Sequence, residues 1–141
     1  MKRVVIDTNV LISATLSPAG NPARIIELIS DKEIHLYYCQ AIMDEYKRVL
    51  ACEKLKITAE LQNRTLKAIE SLGFLVEPSI SDISMPDESD RVFYDTAKES
   101  NSVLITGNTK HFPDEPKIMT PTEYWRAFLE SEIKHRGNNS V

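Results

Sequence analysis

The sequence predicts an α/β protein with a central, mainly parallel sheet and helices on both faces. Three observations predict it. Short, fully apolar, β-branched runs such as Val4-Val5-Ile6 and Val103-Leu104-Ile105 are too brief for helices and lack the polar alternation of a half-exposed strand. Stretches with helical apolar spacing lie between them. A chain of 141 residues that is 42% hydrophobic and 27% charged holds one core, with no room for a second domain and no signature of disorder.

Val4-Val5-Ile6 reads as the first strand, and Val10 to Leu16 as a helix broken by Ser17-Pro18-Ala19-Gly20-Asn21-Pro22. Ala23 to Ile29 is helical again. Ile34 to Cys39 is a second strand, and Ala41 to Leu50 an amphipathic helix. Ile57 to Leu72 is a further helix with Leu61, Leu66 and Ile69 on its apolar face, stopped by Gly73. Phe74-Leu75-Val76 is a third strand ended by Pro78. After a loop over Ser79 to Pro86, Asp87 opens a helix to about Ser100. Val103 to Ile105 is the fourth strand and Thr109 to Glu115 a loop. Ile118-Met119 is a last short strand, and Pro121 begins a C-terminal helix through Tyr124, Trp125, Phe128 and Leu129. The domain is expected over residues 1–134, with 135–141 as an unstructured polar tail.

Charge narrows the function. With 17 basic and 21 acidic residues, the net charge of −4 excludes a protein that grips nucleic acid through bulk positive charge. Nucleic acid held through metal ions remains. Cys39 and Cys52 form neither a CxxC pair nor a disulfide framework, which fits a reducing compartment. Lys2 and Arg3 precede an apolar run that Asp7 interrupts, so no signal peptide fits, and no stretch approaches the ~20 apolar residues of a membrane span. The expectation is a soluble, cytoplasmic protein with no membrane partner.

In a parallel sheet, ligands sit beyond the carboxyl ends of the strands, at a topological switch point. Asp7-Thr8-Asn9 and Thr106-Gly107-Asn108 follow two such strands. Asp7 is also placed to cap the next helix. Glu45 lies about 40° from Val49 on the helical wheel, at the edge of the stripe formed by Ile42, Tyr46, Val49 and Leu50. There it must be paired, metal-bound or turned to solvent, whereas Asp44 falls on the far side. Asp90 shares a face with Phe93, Tyr94 and Ala97 and should point inward, unless it serves a capping box opened by Asp87. Asp95 falls on the outward side and is expected to be solvated. Three inward carboxylates repel one another, and a hard divalent cation relieves this. His35, His111 and His135 show no metal-ligand spacing to another His or to a Cys, so Mg²⁺ or Mn²⁺ is expected rather than zinc. Such a site suits phosphate chemistry.

The stretch Val-Val-Ile-Asp-Thr-Asn-Val-Leu-Ile-Ser-Ala at 4–14 sets a pattern that continues in Glu45-Tyr46-x-x-Val49-Leu50 and Asp90-x-x-Phe93-x-x-x-Ala97. With Leu-Ile-Thr-Gly-Asn at 104–108 and His111-Phe112, it resembles the PIN-domain family, and within it the VapC-like toxins of toxin–antitoxin pairs. The resemblance runs from Val4 to about Leu129. It implies a three-layer α/β/α sandwich and a metal-dependent endoribonuclease acting on RNA, often a homodimer bound by an antitoxin. By position, Asp7, Glu45 and Asp90 match the three core acids, and the fourth acidic position is Asn108. Thr8, Asn9 and Thr106 match polar supporters of the same edge, and Asp87 a further ligand or a cap. Lys110 and His111, with Lys47, Arg48, Lys54 and Lys56, are candidates for RNA contact.

Other readings fit less of the chain. A haloacid-dehalogenase-type phosphotransferase needs a second acid two residues after the first, and Asn9 stands there. A receiver-like phosphoacceptor needs an Asp after the third strand, which ends in Glu77-Pro78. A PIN-like module that binds RNA or protein without cutting is compatible with Asn108 and the negative charge.

Overall fold

The computed structural model describes residues 1–139, with side chains described through residue 135. In chain order the elements are β1 (Arg3–Ile6), α1 (Thr8–Leu16), α2 (Asn21–Ser30), β2 (His35–Tyr38), α3 (Gln40–Leu50) and α4 (Ala59–Leu72). There follow β3 (Phe74–Leu75), α5 (Arg91–Ser100), β4 (Val103–Ile105), β5 (Ile118–Met119) and α6 (Pro121–Asn139). Short 3₁₀ turns occupy Glu53–Leu55, Glu88–Asp90 and Thr109–His111.

The five strands form one parallel sheet in the order β3-β2-β1-β4-β5. Val4, Val5 and Ile6 pair with Val103, Leu104 and Ile105, and all six are buried, which is why both runs are apolar without alternation. Full burial of each such side chain stabilises the fold by about 1.5–3 kcal/mol. The chain steps outward from β1 to β2 to β3, then crosses back to β4. With right-handed crossovers this puts α1 to α4 on one face and α5 on the other. The contacts agree: α1, α2, α3 and α4 pack among themselves, α6 packs on α2, and α5 lies on β1, β2 and β4. This is the three-layer α/β/α arrangement that the sequence predicts.

Local chemistry sets the boundaries. The Asp7 carbonyl accepts from Val10 N and Leu11 N, so α1 begins at Thr8, two residues earlier than expected. The Thr58 hydroxyl caps α4 by accepting from Leu61 N. Gly73 ends α4 because of space: a Cβ there would lie 2.6 Å from Ile69 O and 2.7 Å from a Tyr38 ring carbon. Asn101 closes α5 in the left-handed region at φ 52°, a conformation Asn tolerates.

Other expectations change as well. Asp87 does not open the helix itself: it caps the 3₁₀ turn Glu88–Asp90, and α5 starts at Arg91. The loop after β4 contains a 3₁₀ turn. The stretch from 135, expected as an unstructured tail, continues α6 to Asn139, while residues 140 and 141 lie outside the described residues. Among the described residues, no helix is long and apolar enough to cross a membrane.

Candidate active site

β1 and β4 lie side by side where the chain reverses direction across the sheet, so their carboxyl ends frame the crevice such folds use for ligands. Asp7 leaves β1 at this edge. Its N–H donates to Ile105 O and its carbonyl starts α1, but its carboxylate makes no cap bond. The carboxylate turns instead to β4, where Thr106 Oγ1 donates to Asp7 Oδ2 at 2.7 Å. Thr106 is fully buried, and its hydroxyl also accepts from Asn108 N at 3.1 Å.

The second acid comes from α3. Ile42, Met43, Tyr46 and Leu50 pin that helix into the core, and the Tyr46 hydroxyl donates to Ile6 O next to Asp7. Burial pushes the Tyr46 phenol well up, so it stays a neutral donor. This seating leaves Glu45 half-buried at the edge of the stripe. The Thr8 hydroxyl donates to Glu45 Oε2, and Arg48, itself exposed, approaches Glu45 Oε1 at 3.6 Å. Glu45 therefore has both a hydrogen-bond donor and a cation beside it, the pairing allowed for in the sequence.

The third acid, Asp90, ends the 3₁₀ turn before α5. Asp87 holds that turn by accepting from Ser89 N and Ser89 Oγ at 3.0 and 2.8 Å. Asp90 Oδ2 is buried and accepts no hydrogen bond, although His111 Nδ1 lies 3.3 Å from it. The other ring nitrogen of His111 lies 2.9 Å from Asn108 Nδ2. Asp87, Asp90 and His111 each offer a donor atom, all within 4.8 Å of one another.

These groups share one electrostatic environment. Burial raises the Asp7 carboxyl; the Thr106 bond and the Thr8 backbone lower it, the Glu45 charge raises it and His111 lowers it. Burial also raises Asp90, as do the charges of Asp7, Asp87 and Glu45, against His111. Burial and like charge thus hold two acids of this edge above their ordinary value, an environment that favours a nearby positive charge. His111 stands among these carboxylates and offsets part of their repulsion.

A strap over residues 79–87 fixes the Asp90 turn. Glu99, Asp95 and Arg91 follow one another at four-residue spacing along α5, one side of which faces the strap. Glu99 Oε1 accepts from Ser79 N, and Asp95 Oδ2 from Ser81 N at 3.2 Å. Arg91 donates to Ser81 O, Ser81 Oγ and Ile83 O, and also grips Glu88. Asp95 is thus buried, at 4% exposure, where the sequence predicts a solvated residue. The helical wheel shows which side faces the sheet but not that returning chain covers the opposite side. Met85, buried at the end of the strap, anchors it beside Asp87.

The structure therefore brings Asp7, Thr8, Glu45, Asp90, Thr106, Asn108 and His111 to one edge. Asn9 and Lys110 are exposed there. Lys47, Lys54 and Lys56 are exposed on or after α3. Trp125 stacks on Phe128 and receives Arg24 over its ring, so it packs α6 against α2. Sequence reasoning missed the Asp90–His111 approach. Its one signal is the pairing of Asn108 with His111 three residues on, a spacing that a 3₁₀ turn brings together.

The family model described as PIN domain matches residues 3–110. An uncharacterized protein of Methanocaldococcus jannaschii is 36% identical over 109 residues, covering 75% of this chain and 70% of that protein. No solved structure matches the chain significantly.

Proposed function

Because the chain belongs to the PIN-domain family, whose members are generally metal-dependent nucleases, we propose that it is a Mg²⁺- or Mn²⁺-dependent endoribonuclease. We further propose the VapC-like role: the toxin of a toxin–antitoxin pair, cytoplasmic and homodimeric. The observation that carries the nuclease reading is the buried, unpartnered Asp90 Oδ2 beside Asp7 and Glu45.

The donor set fits a hard divalent ion. Asp7, Glu45 and Asp90 offer carboxylate oxygens, their repulsion needs a cation, and an orphaned buried oxygen gains most from one. Held there by Asp7, Glu45 and Asp90, a divalent ion would supply charge that lowers the pKa of water and neutralises a phosphate under attack. The chain supplies the rest. Thr106 and Thr8 orient the Asp7 and Glu45 carboxylates. Asn108, in place of a fourth acid, would leave a second metal position short of one charge, which an RNA phosphate would make up. Lys110 and Arg48 stand at the rim to meet the RNA backbone. A protein partner is supported by an apolar groove of about 300 Å³ between α1, α2 and α4, lined by Leu11, Ile26, Leu61, Ile69 and Leu72 among others. An antitoxin segment is its proposed occupant, tested by co-expressing the chain with the products of whichever genes flank its own.

The deciding experiment incubates a mixed RNA pool with wild type and Asp7→Asn, in Mg²⁺, Mn²⁺ and EDTA. Cleavage by wild type with metal alone is expected. Metal-independent cleavage, or equal cleavage by Asp7→Asn, overturns the reading. RNA binding with no cleavage in any condition favours a non-catalytic module.

A further inference from the structure

Position 108 carries an amide where the family resemblance places an acid, and an imidazole stands beside that amide. His111 sits on the 3₁₀ turn that Asn108 opens, with its ring spanning Asn108 and Asp90. Nε2 is 2.9 Å from the Asn108 amide, and Nδ1 is 3.3 Å from Asp90 Oδ2. That oxygen is buried and accepts no hydrogen bond, so its lone pairs are free to bind a cation. Asp87 brings a further carboxylate oxygen within 4.8 Å of both.

We propose that His111 Nδ1 is a metal ligand, completing a mixed nitrogen–oxygen donor set with Asp90 and Asp87. This rests on reading the edge as a divalent-metal centre. It adds a nitrogen donor to a site so far described through oxygens alone.

The local chemistry supports the assignment. A ring nitrogen that binds metal must offer its lone pair, so the proton resides on the other nitrogen. That N–H normally donates to an oxygen, which fixes tautomer and ring orientation. Asn108 can provide this oxygen. Turning its amide by 180° puts Oδ1 where Nδ2 stands, at the same distance from Nε2. Asn108 is then a positioning residue, and His111 takes over the ligand role its neighbour has lost. A nitrogen donor also alters ion preference. Mg²⁺ favours oxygen and retained water, whereas imidazole suits Mn²⁺ and the later transition ions.

The test loads the full chain with one equivalent of Mn²⁺ and records electron spin-echo modulation from ¹⁴N. Wild type and the control His35→Ala should show the deep modulation of directly bound nitrogen, and His111→Ala should lack it. His111→Ala should also weaken Mn²⁺ binding about tenfold or more while Mg²⁺ binding changes less. His111 is exposed on a short turn, so the variant should keep the wild-type melting temperature. If Mn²⁺ binds wild type without ¹⁴N modulation, or modulation survives in His111→Ala, the ligand assignment is wrong and the carboxylate centre stands. If wild type binds no Mn²⁺, the metal reading falls and this inference falls with it.

Discussion

Thr106 Oγ1 donates a 2.7 Å hydrogen bond to Asp7 Oδ2, tying together the carboxyl ends of the two central strands. The bond draws the Asp7 carboxyl downward, yet burial outweighs it, and the carboxyl rests above its ordinary value of 3.8. One hydrogen bond does not repay the loss of water around a buried charge.

This has a consequence for acid stability. Between 3.8 and its raised folded value, Asp7 binds more protons in the folded chain than in the unfolded one. Asp90 behaves in the same way. The metal-free protein therefore loses stability as pH rises through that window, and the full cost is present above it. In EDTA at pH 7, Asp7→Asn should melt at the wild-type temperature or higher, by the ~0.5–2 kcal/mol typical of relieving a destabilised site. The gain should shrink as the pH is lowered and be absent below 3.8. Melting curves across pH check it; a lower melting temperature at pH 7 would mean that Asp7 mainly supports the fold.

Asn108→Asp restores a carboxylate at the rim. Under the two-ion reading proposed above, a fourth negative charge would attract the second ion directly, so RNA cleavage should saturate at lower Mg²⁺ than in wild type. Metal titrations of both proteins on the same RNA pool decide this. Coincident curves would show that position 108 does not govern the second ion.

Asp95 holds the strap through Ser81 N. Its removal by Asp95→Ala should speed hydrogen exchange at the Ser81 amide about tenfold, the equivalent of ~1.4 kcal/mol of local opening. Amides of β1 and β4 should keep their protection. Unchanged exchange at Ser81 would show that Arg91 and Glu99 carry the strap without Asp95.

Gly73→Ala pushes a methyl group against Ile69 O and the Tyr38 ring. Since Ile69 O is backbone and Tyr38 is buried, neither can yield cheaply. A loss of about 1–3 kcal/mol in denaturant unfolding is expected. A variant as stable as wild type would show that α4 can shift away from β2.

The fold was legible because its signals are local. Val4-Val5-Ile6 and Val103-Leu104-Ile105 can hardly be anything but buried strands, and Pro121 and Gly73 mark helix ends at the sequence level. Asp7, Glu45 and Asp90 could be read from strand ends and helical wheels because the sheet-facing side of each helix is set by its own apolar residues. Asp95 could not. Its burial depends on chain that returns from β3 and lies along α5, a path no periodicity encodes. The approach of His111 to Asp90 was hidden for a similar reason: two loops meet there, one after β4 and one before α5.

The outermost strands, β3 and β5, are two residues long, and Pro78, Pro116 and Pro121 flank them. A proline has no N–H to offer, and two residues expose too few backbone groups to template another strand. The sheet is thus closed to growth at both margins, even though Phe74 and Leu75 leave apolar surface at one of them. Association between copies must run through side chains on the helical layers, and amyloid-like stacking of this sheet would first require β3 or β5 to lengthen at the expense of its neighbouring turns.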